Sequence, residues 1–329
     1  VTSLQLADRY GRVATDLRVS LTDRCNLRCG YCMPVEGLPW LPKATLLTDD
    51  EVRRLITVAV TRLGVREVRF TGGEPLLRPG LDDIIAATSA LGVGVSLTTN
   101  GVGLADRAVR LREAGLQRVN VSLDTLRRDR FAAIAHRDRL DDVLAGLAAA
   151  RDAGLQPIKV NAVLLRGIND DEPIDLLSYC LANGYQLRFI EQMPLDPMHS
   201  WDRTQMVTAD EILDRLGSRW DLTPQPRTDG APAETWVIEG GPDRVGVIAA
   251  VTKPFCASCN RTRLTADGQV RNCLFATEES DLRTAMRSGA SDEDLARRWQ
   301  QAMWGKAAGH GVDHVDFKQP ERAMSAIGG

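Results

Sequence analysis

Six times along this chain an apolar-periodic, helix-like stretch stops at a glycine. The glycines are Gly64, Gly92, Gly115, Gly154, Gly184 and Gly217. Glycine belongs just past a helix end, where φ commonly turns positive. The first five are followed by strand-like runs at 65–70, 93–98, 117–123, 157–164 and 185–190, and a further run, 16–21, precedes the first helix. That helix opens with Thr48-Asp49-Asp50-Glu51, which fits a capping box. Strands alternating with helices at this spacing imply βαβ units and a parallel sheet.

An open doubly wound sheet and a barrel both satisfy that repeat, and the residues at the strand ends bear on the choice. In order they read Thr22-Asp23-Arg24, Thr71-Gly72-Gly73-Glu74, Thr98-Thr99-Asn100, Ser122-Leu123-Asp124, Lys159-Val160-Asn161 and Glu191-Gln192-Met193. Functional groups at every strand end suit a (β/α) barrel, whose site is built from many strands. An open sheet shows its ligand mainly the switch-point strands. The plain alternative is that loops are polar in any fold. The expectation is an α/β fold with an incomplete (β/α)6 barrel. After Gly217 the character changes. Pro224-Gln225-Pro226 and Asp229-Gly230-Ala231-Pro232 mark turns, followed by short strands at 235–238 and 245–251 and helices at 279–287 and 292–304. The expected division is residues 1–220 as the barrel and 221–329 as a smaller α+β extension; at roughly 150 residues per domain the length allows two.

Seven cysteines, an odd number, make a disulfide framework a poor reading, and six of them fall in two groups of three. Cys25, Cys29 and Cys32 form C-x3-C-x2-C just after the first strand. Three thiolates can hold three irons of a [4Fe–4S] cube and leave the fourth iron open. A structural zinc site, which needs a fourth ligand, is the alternative. Cys256, Cys259 and Cys273 form C-x2-C-x13-C, again three thiols, where an auxiliary cluster competes with a zinc knuckle completed by His310 or His314. Between them, Arg261 and Arg263 share one face if Asn260–Leu264 is extended, and two guanidinium groups beside a metal site suggest a phosphate ligand. Cys180 reads as a core thiol, His310 and His314 as tail structure, and Arg127-Arg128-Asp129-Arg130 as a solvated run.

Cys25-x3-Cys29-x2-Cys32 with Tyr31, followed by Gly72-Gly73-Glu74-Pro75 at the second strand end, resembles the radical S-adenosylmethionine (SAM) superfamily. With the second cysteine group, Asn120-Val121-Ser122-Leu123-Asp124, Lys159-Val160-Asn161, Gly167-Ile168-Asn169-Asp170 and terminal Gly328-Gly329, the whole chain is similar to the GTP 3′,8-cyclase family of molybdenum-cofactor biosynthesis. That resemblance implies two [4Fe–4S] clusters and SAM as cofactors, with Cys25, Cys29 and Cys32 on the SAM cluster. Cys256, Cys259 and Cys273 would hold the auxiliary cluster. Tyr31, Gly73, Ser122 and Met193 match SAM-contacting positions. Arg18, Arg69, Thr98, Lys159, Arg261, Thr262 and Arg263 match GTP-contacting positions, and the tail Gly328-Gly329 reaches the site. The implied reaction is a lyase-type cyclisation in which a 5′-deoxyadenosyl radical takes the 3′ hydrogen of GTP. Its implied partners are a low-potential electron donor and a downstream cyclic pyranopterin monophosphate synthase, in a monomer or homodimer.

Charge supports the substrate independently. A triphosphate needs several fixed cations, and Arg18, Arg69 and Lys159 sit on strands of the repeat, where a buried cation is costly without an anion. No G-x4-G-K-[ST] loop is present, which disfavours ordinary phosphoryl transfer. Two competing readings remain, a peptide-modifying radical SAM enzyme with an auxiliary cluster and a non-enzymatic metal-binding module. A net charge of −3 argues against a globally basic nucleic-acid binder. Apolar runs too short for a membrane span, and the absence of a signal-peptide pattern in Val1-Thr2-Ser3-Leu4-Gln5, point to the cytoplasm.

Overall fold

A computed structural model describes residues 4–227 and 230–328. Val1, Thr2 and Ser3, Asp229 of the expected turn and Gly329 of the tail lie outside the described residues. In chain order the elements are β1 (Asp16–Ser20), α1 (Asp49–Leu63), β2 (Glu67–Thr71), α2 (Leu81–Ser89), β3 (Gly94–Thr99), α3 (Ala108–Glu113), β4 (Arg118–Ser122), α4 (Arg128–Ala135), α5 (Leu140–Asp152), β5 (Ile158–Val163), α6 (Pro173–Asn183) and β6 (Gln186–Ile190). There follow α7 (Ala209–Gly217), β7 (Leu222–Gln225), β8 (Glu234–Ile238), β9 (Arg244–Ile248), β10 (Arg261–Leu264), β11 (Gln269–Arg271), β12 (Ser280–Asp281), α8 (Arg283–Arg287), α9 (Asp292–Trp304) and α10 (Met324–Ile327).

Among the described residues the strands form one twelve-stranded sheet in the order β12-β11-β10-β1-β2-β3-β4-β5-β6-β9-β8-β7. From β10 through β1–β6 to β9 all neighbours are parallel, and antiparallel hairpins flank them on both sides. Strands from the last third of the chain therefore extend both ends of the six-strand repeat. The turn chemistry behaves largely as read. Thr48 and Glu51 form the capping box. Gly64, Gly92, Gly115, Gly154 and Gly184 take positive φ. Gly217 does not: it is the last residue of α7, and Ser218 continues in right-handed geometry. The expected helix at 279–287 is also shortened to Arg283–Arg287, because Gln269 and Val270 pair with Asp281 and Ser280 as β12.

The period-2 alternation of the strands sorts their side chains into two faces. Leu17, Val19, Val68, Phe70, Val95, Leu97, Val119, Val121, Ile158, Val160, Leu187 and Phe189 are 0–1% exposed and form the core with the helices. The intervening positions carry Arg18, Arg69, Ser96, Thr98, Asn120, Ser122, Lys159, Asn161 and Arg188. The register lines them up, Arg263 beside Arg18, Arg18 beside Arg69, Arg69 beside Ser96, and Asn161 beside Arg188. The sheet thus presents one apolar face to its helices and one basic, amide-rich face on the other side.

Cys180 lies fully buried in α6, as a core thiol should. Arg127 and Arg128 are exposed, but Arg130 departs from the expected solvated run by reaching the buried Glu172 carboxylate at 2.7 Å. No helix among the described residues is long and apolar enough to cross a membrane.

Candidate active site

The loop after β1 brings Cys25, Cys29 and Cys32 to the wall of a cavity of about 180 Å³, shared with Tyr31, Gly72, Gly73, Asn100 and Ser122. All three are free thiols. Backbone and amide donors already face two of the sulfurs. Cys25 Sγ accepts from Leu27 N at 3.4 Å and Asn100 Nδ2 at 3.6 Å, and Cys32 accepts from the Ser325 amide. Burial pushes the Cys25 and Cys29 thiols up and the Cys32 thiol to about 12. Left as they are, these sulfurs would stay protonated at neutral pH; only a strong cationic centre would draw out the thiolates. Three half-buried thiols around a cavity, with N–H donors on two of the sulfurs, fit a multi-iron cluster with one open position.

The second strand-end loop is pressed against the first. Gly73 N donates to Thr22 O at 2.7 Å and Glu74 N to Arg24 O at 2.7 Å. A Cβ on Gly72 would stand 2.4 Å from Thr22 O, and one on Gly73 would stand 2.3 Å from Arg24 O. Only glycine fits that approach. Glu74 is fully buried; its carboxylate accepts from Leu76 N, Asn100 N and Thr99 Oγ1, which fastens the loop after β2 to the end of β3. Burial outweighs these donors and raises its pKa to about 7. Tyr31 donates to Asp124 Oδ2 at 2.7 Å, and Asp124 Oδ1 accepts from Val163 N at 2.8 Å. Burial lifts the Asp124 carboxyl to about 6.

A second cavity of about 240 Å³ opens directly from the first: Tyr31, Cys32, Thr98, Ser122, Asp124 and Met324 line both. Its wall draws on β1, β2, β3, β4, β5, β6, β9 and β10 together, so the basic face of the sheet is concave. Arg18, Arg69, Arg188, Arg261 and Arg263 all line it. Burial, then the neighbouring guanidinium groups, lowers Arg18, Arg188 and Arg263 to about 9; burial lowers Arg69 to about 10. Lys159 shares this face two residues before Asn161 but stands outside the cavity wall, where burial and then Arg188 and Arg69 lower it to about 8. Asp16 sits among these arginines, 4.0 Å from Arg261; against the effect of burial, Arg18, Arg69, Arg261 and Arg263 hold its carboxyl below the usual range. Among the described residues, Nε of Arg18 and Nε of Arg261 have no hydrogen-bond partner. Crowded, underpartnered guanidinium groups on a concave wall call for a polyanion.

Cys256, Cys259 and Cys273 line a third cavity of about 70 Å³ beside the second, with Met193, Arg261 and Arg263 common to both. These three thiols are free as well. His310 also borders this cavity, but both ring nitrogens are used: Nε2 lies 2.9 Å from Ala250 O and Nδ1 accepts from Val312 N at 3.1 Å. It is a structural imidazole. Three thiols facing one cavity again fit an iron–sulfur cluster with an open iron. The tail closes the floor. Gly328 is buried, Arg263 Nη1 donates to its carbonyl, and a Cβ there would stand 2.8 Å from Thr71 Cγ2.

The structure thus gathers Tyr31, Gly73, Ser122 and Met193, and Arg18, Arg69, Thr98, Arg261 and Arg263, around two communicating cavities. The Thr262 side chain stands apart from them. Alternation along β10 turns it to the helix face, where its hydroxyl accepts from Trp299 Nε1 at 2.9 Å. Sequence reasoning missed Arg188, whose Nη2 donates to Asn120 Oδ1 at 3.0 Å and to Asn161 Oδ1 at 2.7 Å. A cation between apolar neighbours in Gln186-Leu187-Arg188-Phe189-Ile190 repeats the pattern of Arg18 and Arg69, and that was the available signal.

Residues 19–180 match the radical SAM superfamily and residues 185–312 match Molybdenum Cofactor Synthesis C. A Streptomyces coelicolor protein named GTP 3′,8-cyclase is 64% identical over 98% of this chain and 96% of its own. A Mycobacterium tuberculosis protein named GTP 3′,8-cyclase 2 is 59% identical over 100% of this chain and 93% of its own. Among solved structures, Streptococcus suis SuiB bound to S-adenosylmethionine superposes with a TM-score of 0.62 at 14% identity, covering 89% of this chain and 68% of that one. Tagged anSMEcpe with bound AdoMet superposes with a TM-score of 0.56 at 12% identity, covering 93% and 84%. At those identities the two structures speak to the fold alone.

Proposed function

The chain belongs to the GTP 3′,8-cyclase family within the radical SAM superfamily, and from that premise we propose how its residues divide the work. It is a SAM-dependent radical enzyme that converts GTP to 3′,8-cyclo-7,8-dihydro-GTP, the first step of molybdenum-cofactor biosynthesis. The observation that carries the assignment of roles is the pair of communicating cavities, one ringed by three thiols and one walled by arginines.

Cys25, Cys29 and Cys32 would hold the SAM cluster, and Cys256, Cys259 and Cys273 the auxiliary cluster. With SAM bound, the N-terminal cluster supplies a 5′-deoxyadenosyl radical able to remove the 3′ hydrogen of the GTP ribose. The chain's own part is binding and orientation. Tyr31, Gly73, Ser122 and Met193 border the space for SAM; the glycine pair lets backbone groups approach it. Arg18, Arg69, Arg188 and Arg263, with Lys159 behind them, neutralise the triphosphate. Arg261 and Thr98 complete the proposed GTP-contacting set. The tail with Gly328 and Met324 excludes water from the junction. We read the six parallel strands as an incomplete (β/α)6 barrel within residues 1–220, and residues 221–329 as the extension bearing the auxiliary cluster. A low-potential donor would supply electrons, and a cyclic pyranopterin monophosphate synthase would take the product.

The test is an anaerobic assay of reconstituted protein with SAM and dithionite, with and without GTP, quantifying 5′-deoxyadenosine and guanine-derived products by mass. Deoxyadenosine that rises with GTP, together with a cyclised GTP isomer, is expected. Deoxyadenosine formation indifferent to GTP would remove the substrate assignment. None at all from protein with both clusters intact would remove the mechanism.

A further inference from the structure

Lys306 follows the end of α9 and is 3% exposed. Its ammonium meets three partners at hydrogen-bond distance: Arg261 O at 3.0 Å, Cys259 O at 3.2 Å and Cys259 Sγ at 3.3 Å. Those three use its three protons. Among the described residues it has no carboxylate partner. A buried ammonium without an anion is costly. Of its partners only the Cys259 sulfur can carry a full negative charge, and the thiolate is the metal-binding form. The surroundings hold the ammonium in place. Lys306 N donates to Met303 O at 3.0 Å, and Asn272 Nδ2, next to Cys273, donates to Ala302 O at 2.9 Å. Arg12, paired with Asp8, donates to Cys256 O at 2.7 Å, Ala307 O at 2.6 Å and Ala308 O at 2.9 Å. The segment after α9 is thereby tied to both cysteines of the Cys256–Cys259 turn.

We propose that Lys306 is a positioning residue for the auxiliary cluster: its ammonium donates to the Cys259 sulfur, offsets negative charge at the cluster, and holds Cys259 and Arg261 in fixed relation. Net charge and hydrogen bonds to the sulfurs are among the levers that set an iron–sulfur potential. Lys306 therefore keeps the auxiliary potential higher than the bare cysteine set would. Through the Arg261 carbonyl, it also sets the spacing between cluster and cation wall. The inference rests on the proposed auxiliary cluster.

The experiment uses full-length wild type, K306M and K306R, reconstituted anaerobically. Iron and sulfide per chain are measured, then both clusters are titrated with redox potential by EPR, the N-terminal cluster serving as internal reference. K306M is expected to shift the auxiliary midpoint to a more negative potential and leave the N-terminal midpoint in place; K306R should stay near wild type. An unchanged auxiliary midpoint in K306M carrying both clusters overturns the proposal. Should K306M lose the auxiliary iron, retention by K306R supports a role for the charge, and loss from both variants reduces Lys306 to packing and overturns it. Iron for one cluster only in the wild type would instead remove the auxiliary-cluster reading, and this inference with it.

Discussion

Lys159 is the cation on the concave face whose charge is least secure. Burial first, then Arg188, Arg69 and Arg118, draw its ammonium from 10.5 to about 8. A bound triphosphate opposes that and raises it again, so above pH 8 binding must take up a proton. Affinity for GTP then falls as pH rises, by up to about tenfold per pH unit for one proton. Calorimetry at pH 8.5 in buffers of different ionisation enthalpy should show proton uptake in the wild type and less in K159M. Equal uptake in both would mean that Lys159 does not sense the phosphates. The sign is opposite for apo stability: the unfolded chain binds more protons at Lys159 between about pH 8 and 10.5, so this residue's contribution improves as pH rises through that window and is least favourable below it.

At the scale of an element, β10 separates two roles that lie one residue apart. Arg261 and Arg263 line the cation wall, while Thr262 faces α9 and accepts from the buried Trp299 indole. Thr262→Val should cost about 1 kcal/mol or somewhat more of stability, for the lost bond and the unpaired indole N–H, and leave GTP affinity near wild type. Arg263→Ala should do the reverse, weakening GTP binding at least tenfold, because it removes a charge-assisted partner of the phosphates. Denaturant unfolding and equilibrium binding on both variants check the pair. A Thr262→Val variant that lost GTP affinity without losing stability would place that side chain in the site after all.

For the whole molecule, the sheet makes the C-terminal third part of the scaffold. β10 pairs with β1 and β9 with β6. A fragment ending at residue 220 would leave both outer strands of the repeat with unpaired backbone groups, a template for association. We expect such a fragment to self-associate and to lack a cooperative thermal transition, as read by light scattering and circular dichroism. A monomeric, cooperatively melting fragment would establish the first 220 residues as a unit that folds alone.

The sequence by itself determined the strand–helix repeat, the glycines that end most of its helices and the two cysteine triplets, because each depends on spacing along a few neighbouring residues. The period-2 pattern even carried the two-faced sheet. The tertiary structure decided what local spacing does not encode: which distant segments meet. Parallel pairing, register and the concavity of the sheet bring Arg188, Arg261 and Arg263 to one wall with Arg18 and Arg69, and turn Thr262 away from it. Closing the chain after α9 against the Cys256–Cys259 turn brings Lys306 to a sulfur 47 residues earlier in the chain. A buried charge is tolerated only where its partner is delivered, and that delivery is a property of packing.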